Sequence, residues 1–195
     1  MNAIRAFAIA LVHHPVLDRA GAVVTSAVTN IDVHDLSRSA RTYGASALYV
    51  TTPIEAQRRL VETILGHWTS GSSGDRIPTR RDALGIVRVV ATLDDAVSAL
   101  GGRPSVEIWT TAARTDAGRA PMIGNYEEGR ARMRDGDPRT ILFVFGTSWG
   151  LAPSIVDDSD ARLPPIVGPE GAGGYNHLSV RAACAITLDR LVQSS

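Results

Sequence analysis

At 195 residues, with 44% hydrophobic and 21% charged residues, the chain has the size and composition of one globular domain, which excludes a disordered chain and a pair of full-sized enzymatic domains. Twenty basic residues balance twenty acidic ones, and all twenty are arginine, so a lysine nucleophile, a Schiff-base lysine and a P-loop lysine are excluded together. Cys184 is the sole cysteine, which leaves no internal disulfide and no cysteine-rich zinc site and suits a cytoplasmic protein.

Apolar runs alternate with helical patterns along the chain, which predicts an α/β fold with a mainly parallel sheet flanked by helices. The expected strands are Ala6–His13, Ala47–Thr51, Val87–Ala91, Val106–Thr111, Ile141–Gly146 and, more weakly, Pro165–Val167. Val33, Leu36, Ala40 and Tyr43 recur at helical spacing, with Gly44 as the stop. Thr52-Pro53-Ile54-Glu55 reads as a capping box that opens a helix whose inward face is Ile54, Val61, Ile64, Leu65 and Trp68. Thr92-Leu93-Asp94-Asp95 opens another, which ends at Gly101-Gly102. A last helix is expected from Asn176 to Val192, with Leu178, Ala182, Ala185, Leu188 and Val192 along one face. Thr69–Arg81, Ala113–Gly124 and Gly168–Tyr175 read as loops. The amino-terminal stretch lacks the pattern of a signal peptide, and no apolar run reaches the roughly 20 residues that cross a bilayer.

Three segments carry polar groups where chemistry is usually built. FGTSWGLAP follows the most apolar strand, and its glycines 146 and 150 bracket a loop whose amides can approach a ligand or form a tight turn. LPPIVGPEGAGGYNHLSVRAACAI runs from a strand through a glycine loop into a helix, where Asn176 and Ser179 either cap the helix or bind a ligand at its positive end. TNIDVHDLSRSARTYG places Asp32, Asp35, Arg38 and Arg41 on one short helix, as a solvated face or as a grip on phosphate. The five histidines show no metal-ligand spacing.

In this order the segments resemble the SPOUT superfamily of S-adenosylmethionine-dependent RNA methyltransferases. Asp32 through Arg38 to Gly44 resembles its first SpoU-type motif, ILFVFGTSWGL the second, and LPPIVG with YNHLSVRAACAI the third. VTNIDVHDLSRSARTYG, FGTSWGL and NHLSVRAA are similar to a small bacterial family that occurs alone or fused to the tRNA guanine-N1 methyltransferase TrmD. The resemblance implies a single SPOUT domain over residues 1–195, a C-terminal trefoil knot, S-adenosylmethionine as cofactor, tRNA or rRNA as substrate, and a homodimer. Carried over residue by residue, it implies a cofactor site made of Thr110, Thr111, Gly146, Thr147, Ser148, Trp149, Gly150, Leu151, Ile166 and Gly168, closed by Asn176, His177 and Leu178. Arg38 is the expected contact to an RNA phosphate or the accepting hydroxyl, Arg41 its backup, and Ser179 a substrate-orienting or helix-capping residue. Asp32 departs from the asparagine of many 2′-O-methylating relatives, and the added RNA-binding domain of TrmD has no counterpart here. Two other readings are a non-catalytic cofactor- and RNA-binding module of the same fold, and a different nucleotide-binding α/β enzyme.

Charge is uneven. Residues 38–88 hold eight arginines against four acids, whereas residues 157–170 hold four acids against Arg162. Zero net charge is thus a sum over unlike regions, compatible with an RNA partner gripped locally by arginine forks.

Overall fold

The computed structural model describes residues 3–70, 72–113, 118–169 and 175–193. In chain order it contains β1 (Phe7–Val12), a small antiparallel pair β2 (Val16–Leu17) and β3 (Val23–Val24), α1 (Asn30–Thr42), β4 (Leu48–Thr51), α2 (Glu55–Thr69), α3 (Ser72–Arg76), α4 (Pro78–Gly85) and β5 (Val87–Val90). Then follow α5 (Leu93–Ala99), β6 (Val106–Thr110), α6 (Tyr126–Arg132), β7 (Thr140–Gly146), α7 (Pro153–Asp157), β8 (Ala161–Arg162) and α8 (Val180–Val192).

Six strands form one sheet in the order β5-β4-β1-β7-β6-β8, and every pairing in it is parallel. β1 lies inside this sheet, and its sequence FAIALV is buried throughout, as a strand covered on both faces requires. Its alternation sorts the two layers. Phe7, Ile9 and Leu11 face a core shared with α1, α2, α4 and α8 (Val33, Leu36, Val61, Leu84, Leu188). Ala8, Ala10 and Val12 face the other side, against Ala96 and Val97 of α5 and Ile155 and Val156 of α7. The parallel register brings Thr51, Val12 and Gly146 level, so the carboxyl ends of β4, β1 and β7 finish together.

Below the opposite end of the sheet lies a buried ionic cluster. Glu107 on β6 is 3% exposed and accepts from Arg5 at 2.6 Å and Arg132 at 2.8 Å. Arg139 stands 3.7 Å from the same carboxylate. Arg5 is equally enclosed and also donates to the Arg139 carbonyl at 3.1 Å.

Several elements depart from the sequence expectation. Pro165–Val167 is not a strand; pairing falls on Ala161 and Arg162, because Pro164 and Pro165 have no N–H to donate. The Thr52–Glu55 capping box does not form: Ile54 is the cap residue without a side-chain bond and is 40% exposed rather than inward. By contrast the Thr92–Asp95 box is complete. Thr69–Arg81 is largely helical, since α3 and the start of α4 occupy it, with Pro78 at the first helical position. α8 starts at Val180, not Asn176, and its buried stripe is Cys184, Thr187, Leu188 and Leu191. The loop predictions at 113–124 and 168–175 fall partly outside the described residues.

Candidate functional site

The loops that leave the carboxyl ends of β1, β6 and β7 meet at one edge of the sheet, the usual ligand position in parallel α/β folds. After β7 the chain turns within Gly146–Leu151. A Cβ on Gly146 would stand 2.6 Å from the Leu151 backbone nitrogen, so only glycine permits this closure. Gly150 has φ +107°, and Ser148 holds the left-handed region at φ +55°, a conformation that costs a non-glycine residue about 1–2 kcal/mol.

That turn is tied down from within. The Thr147 amide and hydroxyl both donate to the Val12 carbonyl, at 3.2 and 3.0 Å. The Trp149 amide donates to Leu17, the Leu17 amide returns to Gly150, and Leu151 bridges Val16. Three of the loop's amides (Thr147, Trp149 and Gly150) are therefore used inside the protein. What the loop presents outward is the Trp149 ring, 56% exposed.

Behind it stands His13, at the carboxyl end of β1. His13 is fully buried, and its Nδ1 lies 2.9 Å from the Ser26 hydroxyl, which lies 2.5 Å from the Thr147 hydroxyl. Thr147 donates to Val12, so it accepts from Ser26, and Ser26 accepts from His13. The proton then sits on Nδ1 and leaves Nε2 as an enclosed lone pair without a partner. Burial lowers the His13 pKa to about 4, against a weaker opposing pull from Asp32, and keeps the ring neutral.

The third wall comes from residues 163–169 and 175–179. Ile166, Val167, Gly168, Tyr175, Asn176, His177 and Leu178, with Ile186 and Arg190 of α8, line a cavity of about 280 Å³. His177 joins this wall to the β7 loop: its ring packs edge-on against Trp149 at 6.1 Å and Tyr175 at 5.2 Å between centroids. Asn176 Nδ2 donates to the Ala113 carbonyl at 3.2 Å, which ties in the loop after β6. Ser179 caps α8, accepting from the Ala182 amide at 3.2 Å.

Of the expected cofactor residues, Ile166, Gly168, Asn176, His177 and Leu178 line this cavity, and Trp149 reaches it through His177. Gly146, Thr147, Ser148, Gly150 and Leu151 shape the adjoining turn. Thr110 is 1% exposed and its hydroxyl pairs with Ser159 at 3.1 Å, whereas Thr111 is half-buried at the strand's end. Arg38 and Arg41 lie elsewhere, in a separate concavity between α1 and α4. Sequence reasoning missed Arg181, which donates from Nη1 to Asp32 at 2.5 Å and from Nε faces Asp35 at 3.6 Å, fastening the start of α8 to the start of α1. The two acids one helical turn apart were the available signal. Arg190 was missed as well; its guanidinium lies 5.0 Å over Tyr126 at the cavity's inner end.

The wall suits a ligand that is planar and apolar in one part and charged in another. Ile166, Val167, Leu178 and Ile186 supply apolar surface, exposed aromatic rings stand at the mouth, and Asn176 and Arg190 supply polarity. Among the described residues no three His, Cys, Asp or Glu side chains gather closely enough to hold a metal.

Comparison with known proteins agrees with this geometry. A family model described as SAM-dependent RNA methyltransferase matches residues 6–193. The tRNA (guanine-N(1)-)-methyltransferase of Oleidesulfovibrio alaskensis is 39% identical over 187 residues, covering 94% of this chain and 41% of its own length, so the chain spans less than half of that relative. An uncharacterized protein of Aquifex aeolicus is 37% identical, covering 94% of this chain and 86% of its own. Among solved structures, TrmJ from Z. mobilis shares the fold with a TM-score of 0.64 at 15% identity, over 97% of this chain and 70% of that one. Sheet order, loop convergence and family match lead to one conclusion: the chain belongs to the SAM-dependent RNA methyltransferases and has the SPOUT-type fold.

Proposed function

We propose that this protein transfers the methyl group of S-adenosylmethionine to a nucleotide of structured RNA, with tRNA as the first substrate class to test. The observation that carries the reading is the cavity walled by residues 166–168 and 175–178, to which His177 joins Trp149 of the loop after β7 and Asn176 joins Ala113 of the loop after β6. The tRNA methyltransferase relative and the family match support it.

Bound there, the cofactor supplies a methyl group on a sulfonium, a strong electrophile with a neutral leaving group. The chain's task is then orientation, water exclusion and removal of one proton from the accepting oxygen or nitrogen. Trp149, Tyr175 and His177 offer aromatic surface to a cationic sulfur and a planar base. Arg190 and Asn176 offer donors to carboxylate and ribose oxygens. Ile166, Gly168 and Leu178 complete the wall, beside the pinned Gly146–Leu151 turn, and Thr111 at the end of β6 is the further residue assigned to the cofactor. Arg38, exposed on α1 with Arg41 one turn on, is the RNA-facing cation. Ser179 acts through the helix it caps.

The same reading includes a homodimer, a cytoplasmic site of action, one domain, and a C-terminal segment threaded as a trefoil knot. Large apolar side chains left exposed outside the cavity wall, such as Ile31 at the start of α1, are the surface offered to a second copy.

Incubation with labelled S-adenosylmethionine and total cellular RNA, followed by mapping of the labelled nucleoside, tests the proposal directly. Arg38→Ala should abolish transfer and leave cofactor affinity, read by calorimetry, nearly intact. Full transfer by that variant refutes the role of Arg38. Cofactor binding with no labelled RNA refutes catalysis and favours a non-catalytic module.

A further inference from the structure

A second concavity, of about 500 Å³, opens between α1 and α4, and Arg38, Arg41, Thr42, Thr79, Arg80 and Asp82 stand in its wall. Among the described residues, Arg5, Arg59, Arg81, Arg103, Arg132, Arg139 and Arg181 are committed to carboxylates. Among the described residues, Arg38, Arg41 and Arg80 form no ion pair and no side-chain hydrogen bond. Three guanidinium groups that face one hollow repel each other, and an anion between them removes that repulsion.

The hollow is also prepared for planar recognition. Arg80 lies 4.8 Å over the Trp68 ring, which fixes the plane of its guanidinium, and His34 packs edge-on against the same ring at 5.6 Å. Arg80 and Arg38 also bear on His34, whose pKa is lowered chiefly by burial and next by Arg80, with Asp35 opposing and Arg38 adding to the fall. Thr42 and Thr79 add hydroxyl donors at the rim, and Asp82 is the single acid in the wall. Arginine forks match phosphate oxygens two at a time, which lysine cannot do.

We propose that this concavity seats a backbone phosphate of the RNA substrate, gripped by Arg38, Arg41 and Arg80. The proposal rests on the RNA methyltransferase reading and adds where the RNA lies. α1 connects the two sites: its first turn is fastened by Asp32 to Arg181 of α8, and Arg41 lies about 14 Å further along the helix axis. The RNA therefore lies across α1, with its target nucleotide at the loops and its flanking backbone in the hollow.

The test measures binding of fluorescent bulk tRNA by anisotropy across a salt series, with cofactor affinity measured in parallel. Arg41→Ala/Arg80→Ala should weaken RNA binding about tenfold at low salt and flatten the dependence of log K on log[salt] by roughly 0.7–0.9 for each phosphate that is no longer neutralised. Its affinity for S-adenosylmethionine should match that of the parent. Asp82→Asn removes the opposing charge and should tighten RNA binding severalfold, a change of opposite sign that loss of folding cannot imitate. If the parent binds and methylates RNA while both variants keep its affinity and salt slope, the phosphate seat is wrong and the enzymatic reading stands. If the parent neither binds nor methylates RNA, the RNA reading itself fails and takes the seat with it.

Discussion

Glu107→Ala probes the buried ionic cluster beneath the sheet. The substitution removes the acceptor from Arg5, whose side chain is 3% exposed and cannot turn to water. Breaking a buried pair from one side typically costs about 3–5 kcal/mol, because the remaining charge stays desolvated. Two features place this case at the lower end. Asp135 and Asp137 stand 3.5 and 3.7 Å from Arg5, and the Arg139 carbonyl keeps two of its donors satisfied. Arg132 and Arg139 are 35% and 38% exposed and recover water on their own. The expected loss is therefore about 3 kcal/mol, which for a chain of this size lowers Tm by roughly 6–12 °C. Urea titration gives the free energy and a thermal melt gives Tm. Arg5→Met/Glu107→Leu should recover most of the loss, since the apolar replacement leaves no fully buried charge without its partner. A Glu107→Ala variant within about 1 kcal/mol of the parent, or a double variant as unstable as the single one, refutes the reasoning.

Other predictions concern the loop edge. His13 has a folded pKa of about 4 against 6.5 unfolded, so between those values the unfolded chain binds the proton and the native one does not. Stability should fall as pH drops from about 6.5 to about 4, by about 3 kcal/mol in total, and His13→Asn should flatten that slope; an unchanged pH profile in the variant refutes the assignment. Gly146→Ala drives a Cβ against the Leu151 nitrogen, which the Val16 bridge holds in place, and should cost about 1–3 kcal/mol and at least tenfold in cofactor affinity. Gly150→Ala has open space and bears only the strain of its positive φ, so its loss should be smaller. Calorimetry on the two variants checks the order, and equal losses contradict it.

The sequence already displays the sheet, because strands covered on both faces must read as unbroken apolar runs, as ILFVFG and FAIALV do. Helix boundaries were less visible. Thr69–Arg81 looks like a loop because serine, glycine and proline dominate it, yet α4 begins there with proline in the position that tolerates it. In α8 the stripe shifted because residues 176–179 are spent on the cavity wall, so the helix starts at Val180 and its register is set by Ser179. The glycine turn after β7 was legible as a turn, but the direction of its amides was not, since that depends on Leu17 and Val12 arriving beside it. The Asp32–Arg181 pair joins residues 149 apart, and local pattern does not report such a distance. His13 and Arg190 were hidden for the same reason: only the assembled sheet and α8 give them their surroundings.

β1 pairs with β7 across a gap of about 134 residues, and Val12 at its end anchors the Thr147 turn. During synthesis at about 5–20 residues per second, the β7 edge of this apolar strand waits roughly 7–27 s for its neighbour. An open, flat, hydrophobic edge is a template for pairing with other chains. Products that stop between β1 and β7 should therefore aggregate rather than accumulate. The cavity wall is drawn from residues 166–190, all of which follow β7, so it closes only after β1 has found its neighbour.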